Sequence, residues 1–455
     1  MPRRWKKPRD DETDAPSVAL KHTPACSAEQ RQRAEERLQQ LWAGELKPAP
    51  SPASPPPASP VRGYPSASKP RRGEAFFPMM SDSEMAPLLV PATEPERIRS
   101  TFREHGVCIV TDVISPEDCM ALEDLWHDDL LQLLDESKLD PQVAKQAAAV
   151  KETVKAWPKH WDSHLGNKGM ASKHALPHGS FAWGARLHPN VRRVFAELYE
   201  MGEEDLAVGL DNVFWCSAEE AGTNTNPEWL HVDQNHCTGI TWTCAQGVLY
   251  VWPSGPNDSS TVVWPKSHTE VYDHMMGDPE AIHRGRSMGG QSVKLKELQD
   301  AKIREELMRD AFEKSRRVPC PAGSLLLWDS RTVHQGWRGG PRLAMPICWE
   351  PKTRRDEAAL RRKLWMCGSG VPSSHSAAEG RVHGMAKEAH QPALEDGLPL
   401  LRASLVPFAI RINQESDWLR QQQAIWPSDN PKRQADCNDL KAVLPLLRPE
   451  MLEVL

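Results

Sequence analysis

No stretch of this 455-residue chain approaches the roughly 20 consecutive apolar residues that a membrane-spanning helix requires, so no span is expected. No Cys-x-x-Cys pair occurs either. The ten cysteines stand singly, from Cys26 to Cys437, which excludes a zinc ribbon and a thioredoxin-like site. The start, Met1-Pro-Arg-Arg-Trp-Lys-Lys-Pro-Arg9, has no apolar core of the kind a secretory leader needs. A disulfide framework is therefore not expected, and the thiols read as reduced. That reading places the protein in the cytoplasm, with the same basic cluster readable as a nuclear import signal. An excess of one charge is missing too. The 56 basic and 62 acidic side chains leave a net charge of -6 and no basic stripe, so nucleic acid is not an expected partner. No repeat of fixed period is found, which removes solenoids and propellers, and composition specifies no oligomeric state.

What is present falls into three parts. Residues 1–80 read as a disordered tail, because Lys47 to Pro60 is nearly all Pro, Ala and Ser and cannot offset its ordering entropy. Within it, Ala28 to Trp42 is a candidate short charged helix. Residues 90–360 read as one domain and 361–455 as a helical extension. Ordered sequence is expected from near Glu94, with a helix over Glu96–Glu104 ended by Gly106 and a buried strand at Val107–Val110. Ser115-Pro116 opens a long helix through Leu134, with Leu122, Leu125, Trp126, Leu130 and Leu133 as its apolar stripe. Residues 140–185 lack a pattern and suit a lid or pocket rim, and Val191–Glu200 is a further amphipathic helix. From Leu206 to Trp349, β-prone runs alternate with Gly, Pro and Asn turns. These runs are Val213–Cys216, Thr241–Cys244, Gly247–Trp252, Thr261–Trp264, Ser324–Trp328 and Leu343–Trp349, with an inserted helix over Glu297–Phe312. The fold class that follows is mainly β with flanking helices, an antiparallel sandwich or barrel.

The chemistry-bearing segment is Trp229-Leu-His231-Val-Asp233-Gln-Asn-His236. On a strand, residues i and i+2 share a face, so His231 and Asp233 project together. With 17 histidines, chance alone supplies roughly one His-x-Asp, so the pair is weak by itself. A second segment changes that: Pro321-Ala-Gly-Ser-Leu-Leu-Leu-Trp-Asp-Ser-Arg-Thr-Val-His334 is a turn, a buried strand and a polar end carrying a histidine. Two imidazoles and one carboxylate on one face of an octahedron suit Fe(II), leaving three positions for a bidentate oxoacid and oxygen. Arg342 follows on the next strand-like run, and its planar fork matches the remote carboxylate of an oxodiacid. A buried arginine without such a ligand would need an Asp or Glu beside it.

Several segments in this order resemble the phytanoyl-CoA dioxygenase family, notably its broad fungal and algal branch, over about Glu94 to His375. They include Phe102-Arg-Glu-His-Gly-Val-Cys-Ile-Val, Leu210-Asp-Asn, Leu230-His-Val-Asp-Gln-Asn, Val262-Val-Trp-Pro-Lys-Ser-His268 and Trp328-Asp-Ser-Arg-Thr-Val-His334. The resemblance implies a double-stranded β-helix of the jelly-roll or cupin kind. It also implies iron held by His231, Asp233 and His334, and 2-oxoglutarate held by Arg342 with Gln246 facing it. His236 and His268 read as structural. Two departures stand out. Lys266 replaces the usual glycine of a Gly-Ser-His turn, a change expected to be tolerated on a loop, and Ala344 stands where relatives often carry a hydroxyl that assists the arginine. The carboxylate at Asp233 favours hydroxylation or desaturation over halogenation. The expected activity is an Fe(II)- and 2-oxoglutarate-dependent oxygenase using O2 on a small-molecule or lipid-like substrate. The alternative is a binding module with a vestigial metal site. Lys168, Lys173, Arg186, Arg284 and Arg286 are candidates for holding an anionic group, or plain surface charge.

Overall fold

The computed structural model describes residues 77–131, 165–167, 169–173, 176–216, 229–356, 359–360, 363, 366–367, 372–378 and 453–455. The expected tail helix at Ala28–Trp42, the last turn of the helix expected through Leu134, and all of residues 140–164 and 381–450 lie outside these residues. The first strands are β1 (Leu89–Pro91), β2 (Val107–Thr111), β3 (Gly166–Asn167), β4 (Met170–Ala171), β5 (Leu206–Val208), β6 (Val213–Cys216) and β7 (His231–Val232). Then come β8 (Ala245–Tyr250), β9 (Ser260–Val263), β10 (Val293–Lys294), β11 (Arg316–Val318), β12 (Ser324–Asp329), β13 (His334–Trp337), β14 (Arg342–Ile347) and β15 (Trp349–Pro351). The larger sheet has the order β1-β2-β12-β8-β14-β6-β4-β3, and a five-stranded sheet has the order β10-β7-β13-β9-β11. All their pairings are antiparallel except β1 with β2.

Period-two alternation sorts the larger sheet's side chains between two layers. Cys108, Val110, Leu249, Leu325, Leu327 and Met345 pack toward the helices. Their neighbours Val107, Ile109, Val248, Tyr250, Leu326 and Ala344 pack on the other face with Val263 and Val318 of the five-stranded sheet. The helical layer comprises α1 (Pro95–His105), α2 (Pro116–Leu131), α3 (Ser180–Arg186) and α4 (Pro189–Tyr199). Helix α1 contributes Ile98 and Phe102, and α2 contributes Leu122, Leu125, Trp126 and Leu130, each no more than 5 % exposed. Side chains of this size stabilise the fold by about 1.5–3 kcal/mol each when fully buried. The inserted helices α5 (Pro279–Met288) and α6 (Ala301–Lys314) cover the outer side of the five-stranded sheet, burying Ala281, Leu307 and Ala311 against Val232, Val262 and Trp337.

Caps and turns follow local chemistry. At the start of α2 the Asp118 amide donates to the Ser115 hydroxyl, and the Ser115 amide donates to the Asp118 carboxylate, a reciprocal cap that satisfies two otherwise orphaned groups. Helix α1 ends on Gly106 at φ 66°, where a Cβ would collide with His268 and Thr332, so only glycine fits.

The structure corrects four expectations. Order begins earlier than Glu94: Phe77 is fully buried, Met79 bridges Arg317, and β1 pairs with β2. Ser180–Arg186, read as irregular, is a helix whose seven residues are all buried. Thr241–Cys244, read as a strand, is a loop with Thr241, Trp242 and Thr243 exposed. The run Leu343–Trp349 is divided between β14 and β15, which pairs with β5 in a separate two-stranded sheet. The described ends of the C-terminal region join the same core, with Met366, Cys367, Val454 and Leu455 buried in it.

Candidate metal centre

His231 and His334 meet because β7 and β13 are adjacent antiparallel strands in a register that sets the two residues directly opposite each other. Their rings stand 4.4 Å apart between centroids, as a cross-strand pair on one face requires. A one-residue slip would turn His334 to the far side of the sheet. Asp233 lies just past β7 on the same face, and its amide donates to the Ser330 carbonyl over 2.8 Å. One ligand atom from each of the three residues lies within 4.8 Å of the other two. That spacing and donor set fit one divalent ion held by two imidazoles and a carboxylate.

Hydrogen bonds fix which ring nitrogen faces the centre. His231 Nδ1 lies 3.0 Å from the Trp229 carbonyl and His334 Nδ1 lies 2.9 Å from the Thr332 carbonyl. A carbonyl only accepts, so both Nδ1 atoms carry hydrogen and both Nε2 atoms point lone pairs at the centre. Each Nε2 approaches one carboxylate oxygen, His231 to Oδ1 at 3.3 Å and His334 to Oδ2 at 3.2 Å. Burial would push the Asp233 carboxyl up, but the imidazoles of His231 and His375 hold it well below the usual carboxylate range. Burial and the neighbouring His231 ring lower the His334 imidazole, which keeps it neutral and ready to ligate. Trp229 stacks on His231 with centroids 5.1 Å apart, so the ring is held on its face as well as at its edge.

Arg342 lies at the start of β14, on the larger sheet. It is 7 % exposed, and among the described residues no carboxylate pairs with it. Its Nη2 donates to the Tyr250 hydroxyl at 3.1 Å and the Thr261 hydroxyl at 3.3 Å, its plane covers Phe214 at 4.3 Å, and its Nε has no partner. A buried guanidinium held only by neutral groups is costly unless an anion completes it, so its surroundings fit the distal carboxylate of an oxodiacid. The hydroxyl absent at Ala344 is supplied by its neighbours. Tyr250 sits opposite Ala344 across β8 and β14, and Thr261 comes from β9 of the other sheet. Gln246, on the same face of β8 as Tyr250, lies nearer the other end: its Nε2 donates to Asp233 Oδ2 at 3.1 Å and to Ser330 Oγ at 3.2 Å.

Of the other candidates, Lys168 lies outside the described residues, and His236, His268, Arg186 and Arg284 take structural places. The His236 amide donates to the Tyr272 hydroxyl, and its ring meets the Tyr272 ring edge-on. His268 Nε2 lies 3.1 Å from the Arg103 carbonyl. Between Lys266 and His268, Ser267 donates to the Trp264 carbonyl and accepts from the Val333 amide, pinning the residue next to His334. Arg186 is fully buried and donates to the Pro177 and Asp211 carbonyls, and Arg284 pairs with Glu280 and Glu297. The sequence reading did not single out His375 and Asp211. His375 Nδ1 bonds Asp211 Oδ2, and its Nε2 lies 3.5 Å from Asp233 Oδ2. Burial would lower this imidazole, but Asp211 and Asp233 push it up to about 9. A pocket beside Asp233 is lined by Gln234, Ile240, Gln246, Gln291, His375 and Ser376, among others.

A curated relative, the Ava biosynthesis cluster protein O of Aspergillus versicolor, is 25% identical over 287 residues, covering 61% of this chain and 84% of that protein. Among solved structures, the epimerase SnoN in complex with Fe3+, alpha ketoglutarate and nogalamycin RO matches at 12% identity. That match covers 57% of this chain and 85% of SnoN, with a TM-score of 0.33. GlcNAc Inducible Gene 2 of Candida albicans matches at 12% identity over 91% of this chain and 92% of that one, with a TM-score of 0.39. The profile of the phytanoyl-CoA dioxygenase family matches residues 102–338, over half of the sequence and including His231, Asp233 and His334. The chain therefore belongs to the phytanoyl-CoA dioxygenase family of iron- and 2-oxoglutarate-dependent oxygenases.

Proposed function

We propose that this protein hydroxylates a C–H bond of a small-molecule substrate on a double-stranded β-helix, with Fe(II) at His231, Asp233 and His334 and 2-oxoglutarate reaching Arg342. The observation that carries the reading is the pairing of a three-ligand cluster with a buried arginine that lacks a carboxylate, the two lying on facing sheets. The two mainly antiparallel sheets with the site between them support the β-helix assignment. When bound, the metal and oxoacid supply the oxidation, consuming O2 and releasing succinate and carbon dioxide.

The chain's own residues bind, orient and exclude water. His231, Asp233 and His334 would hold the metal, and a set of only three protein ligands would leave it open to oxoacid and oxygen. Arg342 grips the distal carboxylate through the edge left unused by Tyr250 and Thr261, and those hydroxyls hold the guanidinium plane in place. Gln246 and Ser330 keep the Asp233 carboxylate in one orientation. The pocket beside Asp233, lined by Gln234, Gln246 and Gln291, is the place this reading gives to the substrate. No side-chain general base is required.

The test is the weak visible band of a metal-chelated oxoacid, sought in protein purified without oxygen and given Fe(II), then 2-oxoglutarate. The band should be lost in His231→Ala and should need much more oxoacid in Arg342→Ala. A protein that retains no iron and develops no band would be a binding module with a vestigial site.

A further inference from the structure

We infer that His375, clamped by Asp211, is a positioning residue for the metal-binding carboxylate of Asp233. The inference rests on the metal reading above and adds to it a group from a segment beyond the residues that the family profile matches.

The geometry is that of a ring between two carboxylates. His375 Nδ1 bonds Asp211 Oδ2, while its Nε2 stands 3.5 Å from Asp233 Oδ2. A carboxylate oxygen can only accept, so Nδ1 presents its hydrogen to Asp211, and Nε2 faces Asp233 at ion-pair distance. The same Asp233 oxygen also receives the Gln246 amide at 3.1 Å. An amide donor and an imidazole edge converging on one oxygen bias how the carboxylate is turned toward a metal, the role that outer groups play around ligating carboxylates.

The clamp is itself held on every side. Asp211 is 2 % exposed, and its second oxygen accepts from the Asn212 amide at 2.7 Å. Its carbonyl accepts from Arg186 at 2.7 Å, so a fully buried guanidinium fixes the backbone there. The segment carrying His375 is tied down at both ends. The Leu210 amide donates to the Ser373 hydroxyl and the Ser373 amide donates to the Leu210 carbonyl, both at 2.8 Å. On the other side of His375, the Ser376 hydroxyl and the Ala378 amide both donate to Glu350 Oε2 on β15. A segment with this many anchors around one histidine holds that ring against Asp233.

The test is Co(II) binding to the full-length protein without oxygen, following the dissociation constant and the visible spectrum of the bound ion. His375→Phe removes both donors, whereas His375→Gln retains an N–H that reaches toward Asp233. About a third of the His375 side chain is exposed, so both variants should fold, as far-UV circular dichroism would verify. His375→Phe should weaken Co(II) binding by roughly 10–100-fold and shift the spectrum, with His375→Gln recovering most of both. Unchanged affinity and spectrum in His375→Phe would overturn the inference. So would equal loss in both variants, which would assign the effect to packing. Failure of the wild-type protein to bind Co(II), matched by His231→Ala, would instead remove the metal reading and this inference with it.

Discussion

The cosubstrate end of the site is a three-residue arrangement in which a phenol takes over a missing hydroxyl. Ala344 is fully buried and small, and the Tyr250 side chain opposite it reaches Arg342. Tyr250→Phe therefore removes one of the two bonds that hold the guanidinium plane. Loss of a hydrogen bond to a charged group costs about 1.5–3 kcal/mol, so the half-saturating 2-oxoglutarate concentration should rise on the order of tenfold or more. Titrating the visible band of the anaerobic Fe(II) protein measures it, and an unchanged midpoint would mean that Tyr250 plays no part in binding the oxoacid. Lys266 is a second informative residue. It stands at φ 67°, in the left-handed region, with its amide bonded to the His105 carbonyl. Left-handed geometry costs a side-chain-bearing residue roughly 1–2 kcal/mol, while glycine loses about 0.5–1 kcal/mol more chain entropy on folding. Lys266→Gly should thus stabilise the fold by on the order of 0.5–1 kcal/mol, read as a higher urea midpoint at unchanged slope. A lower midpoint would show that the contact of its ammonium with Glu104 outweighs the backbone strain.

At the scale of elements, what the sequence made legible was whatever has a local period. The stripe Leu122, Leu125, Trp126 and Leu130 predicts α2, and the buried runs predict β6, β8, β9 and β12 to within a few residues. Elements without a period were missed. Helix α3 is buried on every side, so its seven residues show no amphipathic pattern. Thr241–Cys244 has strand-forming residues but no strand beside it, and the Trp242 carbonyl instead accepts from Gln234 at the pocket. His375 and Asp211 are 164 positions apart, and no local signal links them. His231 and His334 are 103 positions apart by number, yet they were legible because each stands in its own recognisable motif. The cap of α2 permits a prediction at this scale. Burial would raise the Asp118 carboxyl, but His188 and the Ser115 amide and hydroxyl bring it below its usual value. A carboxyl depressed in the folded state contributes stability that is present above its unfolded value, near 3.9, and is lost as pH falls through its folded one. The melting-temperature gap between wild type and Asp118→Asn should narrow as the pH falls below about 4. A gap that stays constant or widens below about pH 4 would contradict the assignment of Asp118 as the anion in this cap.

At the scale of the whole molecule, the site is where the two sheets are tied together. His231 and His334 belong to the five-stranded sheet and Arg342 and Tyr250 to the larger one, while Thr261 reaches from the first to the arginine of the second. Metal binding by itself joins ligands of one sheet and the loop next to it, whereas an oxoacid spanning metal and arginine would join both sheets. Any ligand that binds only the folded state stabilises it by RT ln(1 + [L]/Kd), about 2.7 kcal/mol at a hundredfold excess over Kd. In a domain of this size that corresponds to on the order of 5–10 °C in melting temperature. Co(II) under anaerobic conditions should give one such increment, and 2-oxoglutarate added afterwards should give a second. His231→Ala should lose both. Arg342→Ala should retain the metal increment and lose most of the oxoacid one, because the second sheet no longer holds the ligand. A full second increment in Arg342→Ala would place the oxoacid entirely on the metal side and leave the buried guanidinium to a partner other than the cosubstrate.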